Sequence, residues 1–587
     1  MKKVVTSFMT RLTHWINSYL GTAFFNATFV SRLGGIAGLL AVILGLVQGF
    51  GLANPYPAIE KLLLVLPNLA VIIWFIGVYA FQSPRLGRLG ALGLGAAAVG
   101  LSGIIIINLL QRAAENNSGN QASALLTSPA IPLVFTVIAV LFVWGILALG
   151  TASLQTGLLS RGAVVLWMVG MMASLNTPWT PVSLVTITGV VWSSIILLRG
   201  VPAQDARGTP DVTPAVQAII PAAVPAATAV GSLNPLDALR GVIMILMAID
   251  HASIFIRRWH PFETWDQPLP AYPSLAAMLT RLATHPCAPG FFFLMGAGMV
   301  LFAHSRRQLG WSERRIAGHL ALRGLLFIAL EQLIVDIASA GQINPFDFSI
   351  LAGLGAVMLF GILFLRLKGP VQAAAGAAIL LLMQFLPGLL LHANLGIFNP
   401  IRLLILPGSV GIAFVLYPPI PWLGVALLGM AFARLLLQRQ DKAYQVAGIT
   451  GLVCLALFPI VRLLGGFGNL RMPSGDTLVD FFNVVKYPPS LSFLLLSLGF
   501  DLALLYLLSK ASSTLATWGR PVVILGQAAL YFFLVHWFVY AALGVIQGGL
   551  SQTYLAWVVG LLLLYPVCKT FEAFKHRMPA TSGWRML

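Results

Sequence analysis

The stretch DALRGVIMILMAIDHA, residues 237–252, decides what kind of chain this is. It is apolar enough to cross a bilayer, yet it carries Asp237 and Arg240 near one end and Asp250 and His251 near the other. An ionised group in hydrocarbon costs several kcal/mol unless it is paired or faces water, so such groups tend to mark a pathway or a reaction site.

The rest of the chain has the same character. Of its 587 residues 58% are hydrophobic and only 9% are charged, with a mean hydropathy of +0.91. A soluble domain of this length is excluded. Apolar runs of about 20 residues recur between residues 34 and 575, whereas barrel strands would give short alternating segments. The expected fold is all-α, a polytopic integral membrane bundle of about sixteen transmembrane helices.

A first block of about six spans lies near 34–53, 61–81, 89–110, 131–152, 157–175 and 182–198, within residues 1–199. Residues 200–235, rich in Pro and Ala with few large side chains, read as a linker. A second block of about ten spans, within residues 236–587, lies near 236–257, 281–303, 316–338, 350–366, 371–391, 421–437, 445–463, 490–508, 521–546 and 554–574. The first twenty residues are basic without a signal-peptide core and read as an interfacial amphipathic segment.

The net charge of +18 comes from Lys and Arg in short clusters between apolar runs, not from one basic face. Anionic lipid, rather than nucleic acid, is the expected partner. HSRRQLGWSERR (304–315), RLKG (366–369), RLLLQRQDK (434–442) and KTFEAFKHR (569–577) fall on alternate connections. The positive-inside rule places them, the linker and both termini on the cytoplasmic side of an inner (plasma) membrane. Cys287, Cys454 and Cys568 lack metal-ligand spacing and read as packing residues, so no metal is expected.

In this orientation Asp237 and Arg240 are three apart at the inner end of their helix and can pair. They are either a helix-end pair or part of a cationic collar for a phosphorylated donor, with Arg323 as a second member; the loop residues Arg306, Arg307, Arg314 and Arg315 read mainly as topology determinants. Asp250 and His251 reach the outer face, where TRLATHPCAPGFFFLMGAG (280–298) brings Arg281 and His285 to the same level. His285, at a helix start opened by flanking prolines and small residues, Asp250 and His251 are the candidate catalytic residues, the alternative for each being a buried packing contact. His260 reads as a loop residue. Glu331, deep in a span, reads as an ion pair or a step in a proton path, and His536 as a satisfied core histidine. The long connections 392–421 and 465–490, with Asp476, Asp480 and Lys486, face outward and are long enough to carry function.

Six stretches then form a series: LDALRGVIMILMAIDHA (236–252), TRLATHPCAPGFFFLMG (280–296), LRGLLFIALE (322–331), YPPIPWLGVALLGMAFA (417–433), KYPPSLSFLLLSLG (486–499) and LGQAALYFFLVHW (525–537). In that order they resemble the bacterial relatives of the heparan-α-glucosaminide N-acetyltransferase catalytic domain, over about residues 233–587. The resemblance implies a transmembrane acyltransferase that takes an acyl group, normally acetyl, from cytoplasmic acyl-CoA. The group would pass to an amine or hydroxyl of a sugar-containing acceptor on the outer side. It also implies a working histidine after the first helix, for which His251, His260 and His285 are candidates. Arg240 and Arg323 would hold CoA phosphates, and a homodimer is one arrangement open to the chain. A proton-coupled transporter or lipid-intermediate flippase, using Glu331, Asp250 and His536, is the competing class.

Overall fold

The computed structural model describes residues 27–49, 57–116, 126–128, 130–174, 181–200, 234–340, 346–392, 401–410, 412–472, 475–579 and 582–586. The amphipathic segment and nearly all of the linker fall outside these residues, as do residues 175–180, between the spans expected near 157–175 and 182–198. The chain divides into two compact units, Met1–Ile219 and Ile220–Leu587.

In the first unit α1 (Ala27–Gly49), α2 (Pro57–Asn116), α3 (Ile131–Thr156), α4 (Arg161–Ala173) and α5 (Pro181–Arg199) follow one another. The long α2 breaks at Gly87, whose φ of 67° only glycine adopts at little cost, and so holds two candidate spans, Leu62–Ser83 and Arg85–Gln111. In its core Trp167 meets Trp74 and Phe75 edge to face, all three with 0% exposure.

The second unit is built around α6 (Asn234–Arg257), the helix of the opening stretch. It runs on through α7 (Leu275–Thr284), α8 (Cys287–Gln308), α9 (Glu313–Leu330), α10 (Ile350–Gly361), α11 (Gly369–Leu382), α12 (Pro419–Gln438), α13 (Gln440–Leu464), α14 (Leu491–Lys510), α15 (Arg520–Gln527), α16 (Ala529–Leu543) and α17 (Leu550–Arg577). A three-stranded sheet is the non-helical addition: β1 (Asp347–Phe348) pairs in parallel with β3 (Ala413–Val415), which pairs antiparallel with β2 (Gly408–Val410). α6 packs against α7, α8, α14, α15, α16 and α17. This explains why so apolar a helix carries polar groups: its sides meet protein, not lipid.

Ten helices among the described residues are long and apolar enough to cross a membrane, eleven if the bent pair α15–α16 is one span. This corrects the expected sixteen. The segments read as spans near 157–175, 350–366 and 371–391 form helices of 13, 12 and 14 residues. At 1.5 Å per residue they reach about 18–21 Å, short of a hydrocarbon core of about 30 Å. α9 carries Glu313, Arg314, Arg315, His319 and Arg323, too many polar groups for an apolar window. The run at 521–546 turns through 92° between Gln527 and Ala529.

Two glycines set the approach of α6 to α15. A Cβ on Gly241 would strike the Val522 carbonyl, and one on Gly526 the Asp237 carbonyl. The backbones therefore touch, and Arg240 Nη1 donates to the Gly526 carbonyl at 3.3 Å. Gly526→Val is expected to force the helices apart at a cost of about 1–3 kcal/mol. It should lower the melting temperature of the detergent-solubilised protein well below that of a Gly298→Ala control, where nothing lies within 4 Å.

Candidate functional site

Asp250 and His251 are consecutive on α6, so their side chains leave the helix about 100° apart and enter two different surroundings. Sequence reasoning expected Asp250, His251 and His285 to converge on one point. The structure instead forms two adjoining constellations.

The first is centred on Arg281 of α7. Its Nε and Nη2 donate to the two oxygens of Glu263, each at 2.7 Å, and its Nη1 donates to both oxygens of Asp250 at 2.8 and 2.7 Å. Nη2 also donates to the Pro261 carbonyl at 3.0 Å. Arg281 is 2% exposed and Glu263 0%. The rigid fork of a guanidinium suits such two-sided pairing. His260, read as a loop residue, is in that loop but joins the site: its Nε2 lies 3.0 Å from Asp250 Oδ2. Tyr272 donates its hydroxyl to Glu263 Oε1 at 2.8 Å.

Two carboxylates against one guanidinium leave an excess negative charge, and Lys486 answers it. The connection 465–490 lies against loop 258–274: the backbone N–H groups of Lys486 and Tyr487 donate to the Glu263 carbonyl at 2.9 and 3.0 Å. Lys486 is thereby only 4% exposed, and its charge acts on Asp250, His251 and His285. Arg462 clamps the same connection by donating to the carbonyls of Phe481, Asp480 and Asn483 at 2.7–2.8 Å. Of the other loop candidates, Asp480 caps a short helix with Thr477, and Asp476 is exposed.

His285 is 1% exposed, with both ring nitrogens buried and without a hydrogen-bond partner; Glu263 Oε1 lies 3.6 Å away. The expected open helix start is therefore closed, because Phe493 of α14 packs on the ring and the loop carrying Glu263 covers it.

The second constellation faces α16. His251 Nδ1 lies 2.5 Å from His536 Nε2, and His536 Nδ1 donates to the Phe532 carbonyl at 3.1 Å. Trp537 stacks on His251 with ring centroids 4.2 Å apart, and Phe533 meets it edge-on at 6.4 Å.

Phe533 also lines a cavity of about 270 Å³. Arg240 and Met244 of α6, Arg323 of α9, Gln527, Leu530 and Lys575 of α17 line it too. Arg240, Met244 and His251 fall on one stripe of α6, and Arg240 and His251 are about 16 Å apart along its axis. The cavity thus has cationic lining at Arg240, Arg323 and Lys575 and apolar lining that includes Phe533; His251 lies behind Phe533, in edge contact with it, and does not itself line the cavity. Arg240 is paired with Asp237 at 2.8 Å, as the spacing predicted, and the Arg323 Nε is buried without a partner.

Several of these residues escaped sequence reasoning. Glu263 and Tyr272 lie in a loop, where charge and hydroxyl are the default. Lys575 belongs to a basic cluster that reads as topology. Asp501, in the apolar run LGFDLALL of α14, is 1% exposed with neither oxygen partnered, and the acid inside that run was the available signal. Glu331, expected in an ion pair or a proton path, makes no salt bridge among the described residues; its Oε2 accepts from the backbone N–H groups of Leu351 and Ala352 at 2.7 and 3.2 Å, capping α10.

The fold and site define a polytopic helical membrane protein with a buried acid–base cluster beside a cavity with cationic lining. Residues 233–466 match the family model for heparan-alpha-glucosaminide N-acetyltransferase, catalytic. The match makes this part of the chain, less than half of its 587 residues, similar to the catalytic domain of an acetyltransferase. The match ends before α14, so His536 and Lys575 lie beyond it. No curated protein matches the chain.

Burial alone would push the Glu263 carboxyl up, but the Arg281 guanidinium, through its charge and its hydrogen bonds, holds it well below its usual 4.5. A carboxyl depressed in the folded state stabilises the protein above its unfolded pKa and loses that contribution as pH falls through the folded value. Thermal stability should therefore be flat from pH 7 to about 5 and drop below about 4, and Glu263→Gln should lessen the acid-side drop. Arg281→Met leaves two buried carboxylates uncompensated and should cost about 3–5 kcal/mol in a denaturation assay.

Proposed function

We propose that this protein transfers an acetyl group from acetyl-CoA to an amine or hydroxyl of a sugar-like acceptor, with donor and acceptor approaching from opposite faces of the membrane. The observation that carries this reading is the cavity whose lining combines Arg240, Arg323 and Lys575 with Phe533, the ring that packs against His251. Arg323 and Lys575, with Arg240 shared with Asp237, supply cationic contacts for the phosphates of CoA. The apolar walls formed by Met244, Leu530 and Phe533 suit the pantetheine arm, and the thioester then arrives beside Phe533, next to His251.

The acceptor side is the Asp250–His260–Arg281–Glu263 cluster under the 465–490 connection. Asp250 and Lys486 offer charge and hydrogen bonds to a polyhydroxylated ligand, and Arg281 keeps Asp250 fixed. Attack on the thioester carbonyl requires removal of a proton from the acceptor N–H or O–H, and an imidazole is suited to this near neutral pH. The new C–N or C–O bond forms as the C–S bond breaks, and the proton completes CoA–SH. The charge pattern of the connections supports placing the cavity mouth in the cytoplasm of a plasma-membrane protein.

A proton-coupled transporter would need its intramembrane acids and histidines strung along a path. Glu331 is occupied in capping α10 and His536 is bonded to His251, so neither supplies a free step.

The test is acetyl-CoA binding and CoA release by the full chain in nanodiscs with amino-sugar acceptors. Arg323→Ala should weaken acetyl-CoA binding about tenfold or more, since a charge-assisted phosphate contact is lost. His251→Ala should bind acetyl-CoA nearly normally yet lose turnover by about 100-fold or more. Unchanged binding in Arg323→Ala, together with full turnover in His251→Ala, would reject the assignment.

A further inference from the structure

Of the three candidate histidines, His251, His260 and His285, two have no accessible nitrogen to offer. His285 has both nitrogens buried, and His260 has Nε2 engaged by Asp250 and Nδ1 buried without a partner. His251 keeps 9% of its surface accessible, and its Nε2 has no protein partner among the described residues. Which state that nitrogen is in depends on His536, a residue that nothing in the family match covers.

The hydrogen bonds fix it. A carbonyl oxygen only accepts, so the contact between His536 Nδ1 and the Phe532 carbonyl puts the proton on His536 Nδ1. In a neutral ring His536 Nε2 then carries a lone pair and accepts from His251 Nδ1–H across 2.5 Å. The two rings are 24° from coplanar with centroids 4.8 Å apart, the arrangement of imidazoles joined end to end by such a bond. The remaining nitrogen of His251, Nε2, is left unprotonated. Trp537 stacked on the face of His251 and Phe533 at its edge prevent the ring from turning to exchange its nitrogens.

We infer that His536 is a positioning residue that holds His251 as its Nδ1–H tautomer and so presents the Nε2 lone pair as the base next to Phe533, which lines the donor cavity. The inference rests on the acetyl-transfer reading for the base's task, and on the hydrogen-bond chain alone for the tautomer. In the transfer step the acceptor N–H or O–H bond breaks and its proton goes to His251 Nε2. The acceptor's electron pair forms the bond to the acetyl carbon, and the C–S pair leaves on sulfur. The imidazolium, still bonded through Nδ1–H to His536, then returns the proton to sulfur, giving CoA–SH and a regenerated neutral pair. His260 stays bound to Asp250 and orients the acceptor.

The experiment uses the full chain in nanodiscs, labelled with ¹⁵N-histidine, the His251 signals being assigned by difference from His251→Ala. Wild-type protein is expected to show a protonated Nδ1 and an unprotonated Nε2 on His251. His536→Phe, which removes the acceptor, should give mixed tautomers and lower acetyl-CoA turnover about 100-fold, with acetyl-CoA affinity within about threefold of wild type. His536→Gln, whose side-chain oxygen can accept from Nδ1–H, should recover part of both the tautomer and the turnover, which a purely structural role would not predict.

A wild-type spectrum with an unprotonated Nδ1 on His251, or with both nitrogens protonated at neutral pH, overturns the inference whatever the activity. So does wild-type turnover in His536→Phe. If that variant does not fold, the wild-type spectrum and His536→Gln decide. Wild-type protein with the expected spectrum but no CoA release confirms the tautomer and rejects the acetyl-transfer reading, and with it the base role.

Discussion

The guanidinium of Arg281 is the interaction on which the second unit's chemistry depends. It is buried and holds two carboxylates at once, Asp250 from α6 and Glu263 from the following loop. Without it each carboxylate would be an uncompensated charge in a low-dielectric interior, a far larger penalty than any one packing contact offsets. With it, α6, α7 and loop 258–274 are tied at one point, and the 465–490 connection docks on that loop by backbone hydrogen bonds to Glu263. The same residue thus organises the fold and fixes the orientation of Asp250 and His260.

The other end of α6 is governed by a different constraint, close backbone contact. Gly241 and Gly526 let α6 and α15 touch, which sets Arg240 against α15 and leaves the space below α16 as a cavity. The bend between α15 and α16 then aims Phe533, His536 and Trp537 at His251. One helix therefore carries a phosphate-suited cation at one end and an imidazole about 16 Å along the same stripe. Two substrates could meet between them without sharing a single open pocket.

Much of this was legible in the sequence, because burying charge is costly and therefore conspicuous. Asp237 paired with Arg240, the polar ends of α6 and the level of Arg281 all followed from polar residues in apolar runs; that Arg240 and Arg323 line one cavity is a result of packing. What was not legible depended on long-range packing. His251 and His536 are far apart in sequence, and neither flank predicts the 2.5 Å contact. Glu263 looks like an ordinary loop acid until Arg281 is placed beside it. The span count failed because apolarity alone does not give length: α4, α10 and α11 are apolar but end within about 21 Å.

The most direct test of the account is photo-crosslinking with an acyl-CoA analogue that carries a photoreactive group on a short acyl chain, followed by peptide mapping of the full-length protein. The account predicts label at the apolar lining of the cavity, on Phe533 or Met244, or on His251 behind Phe533, competed by excess acetyl-CoA. Competable label confined to another cavity, such as the one lined by Phe293, Phe432, Leu435 and Val446, would contradict it, as would no competable label at all.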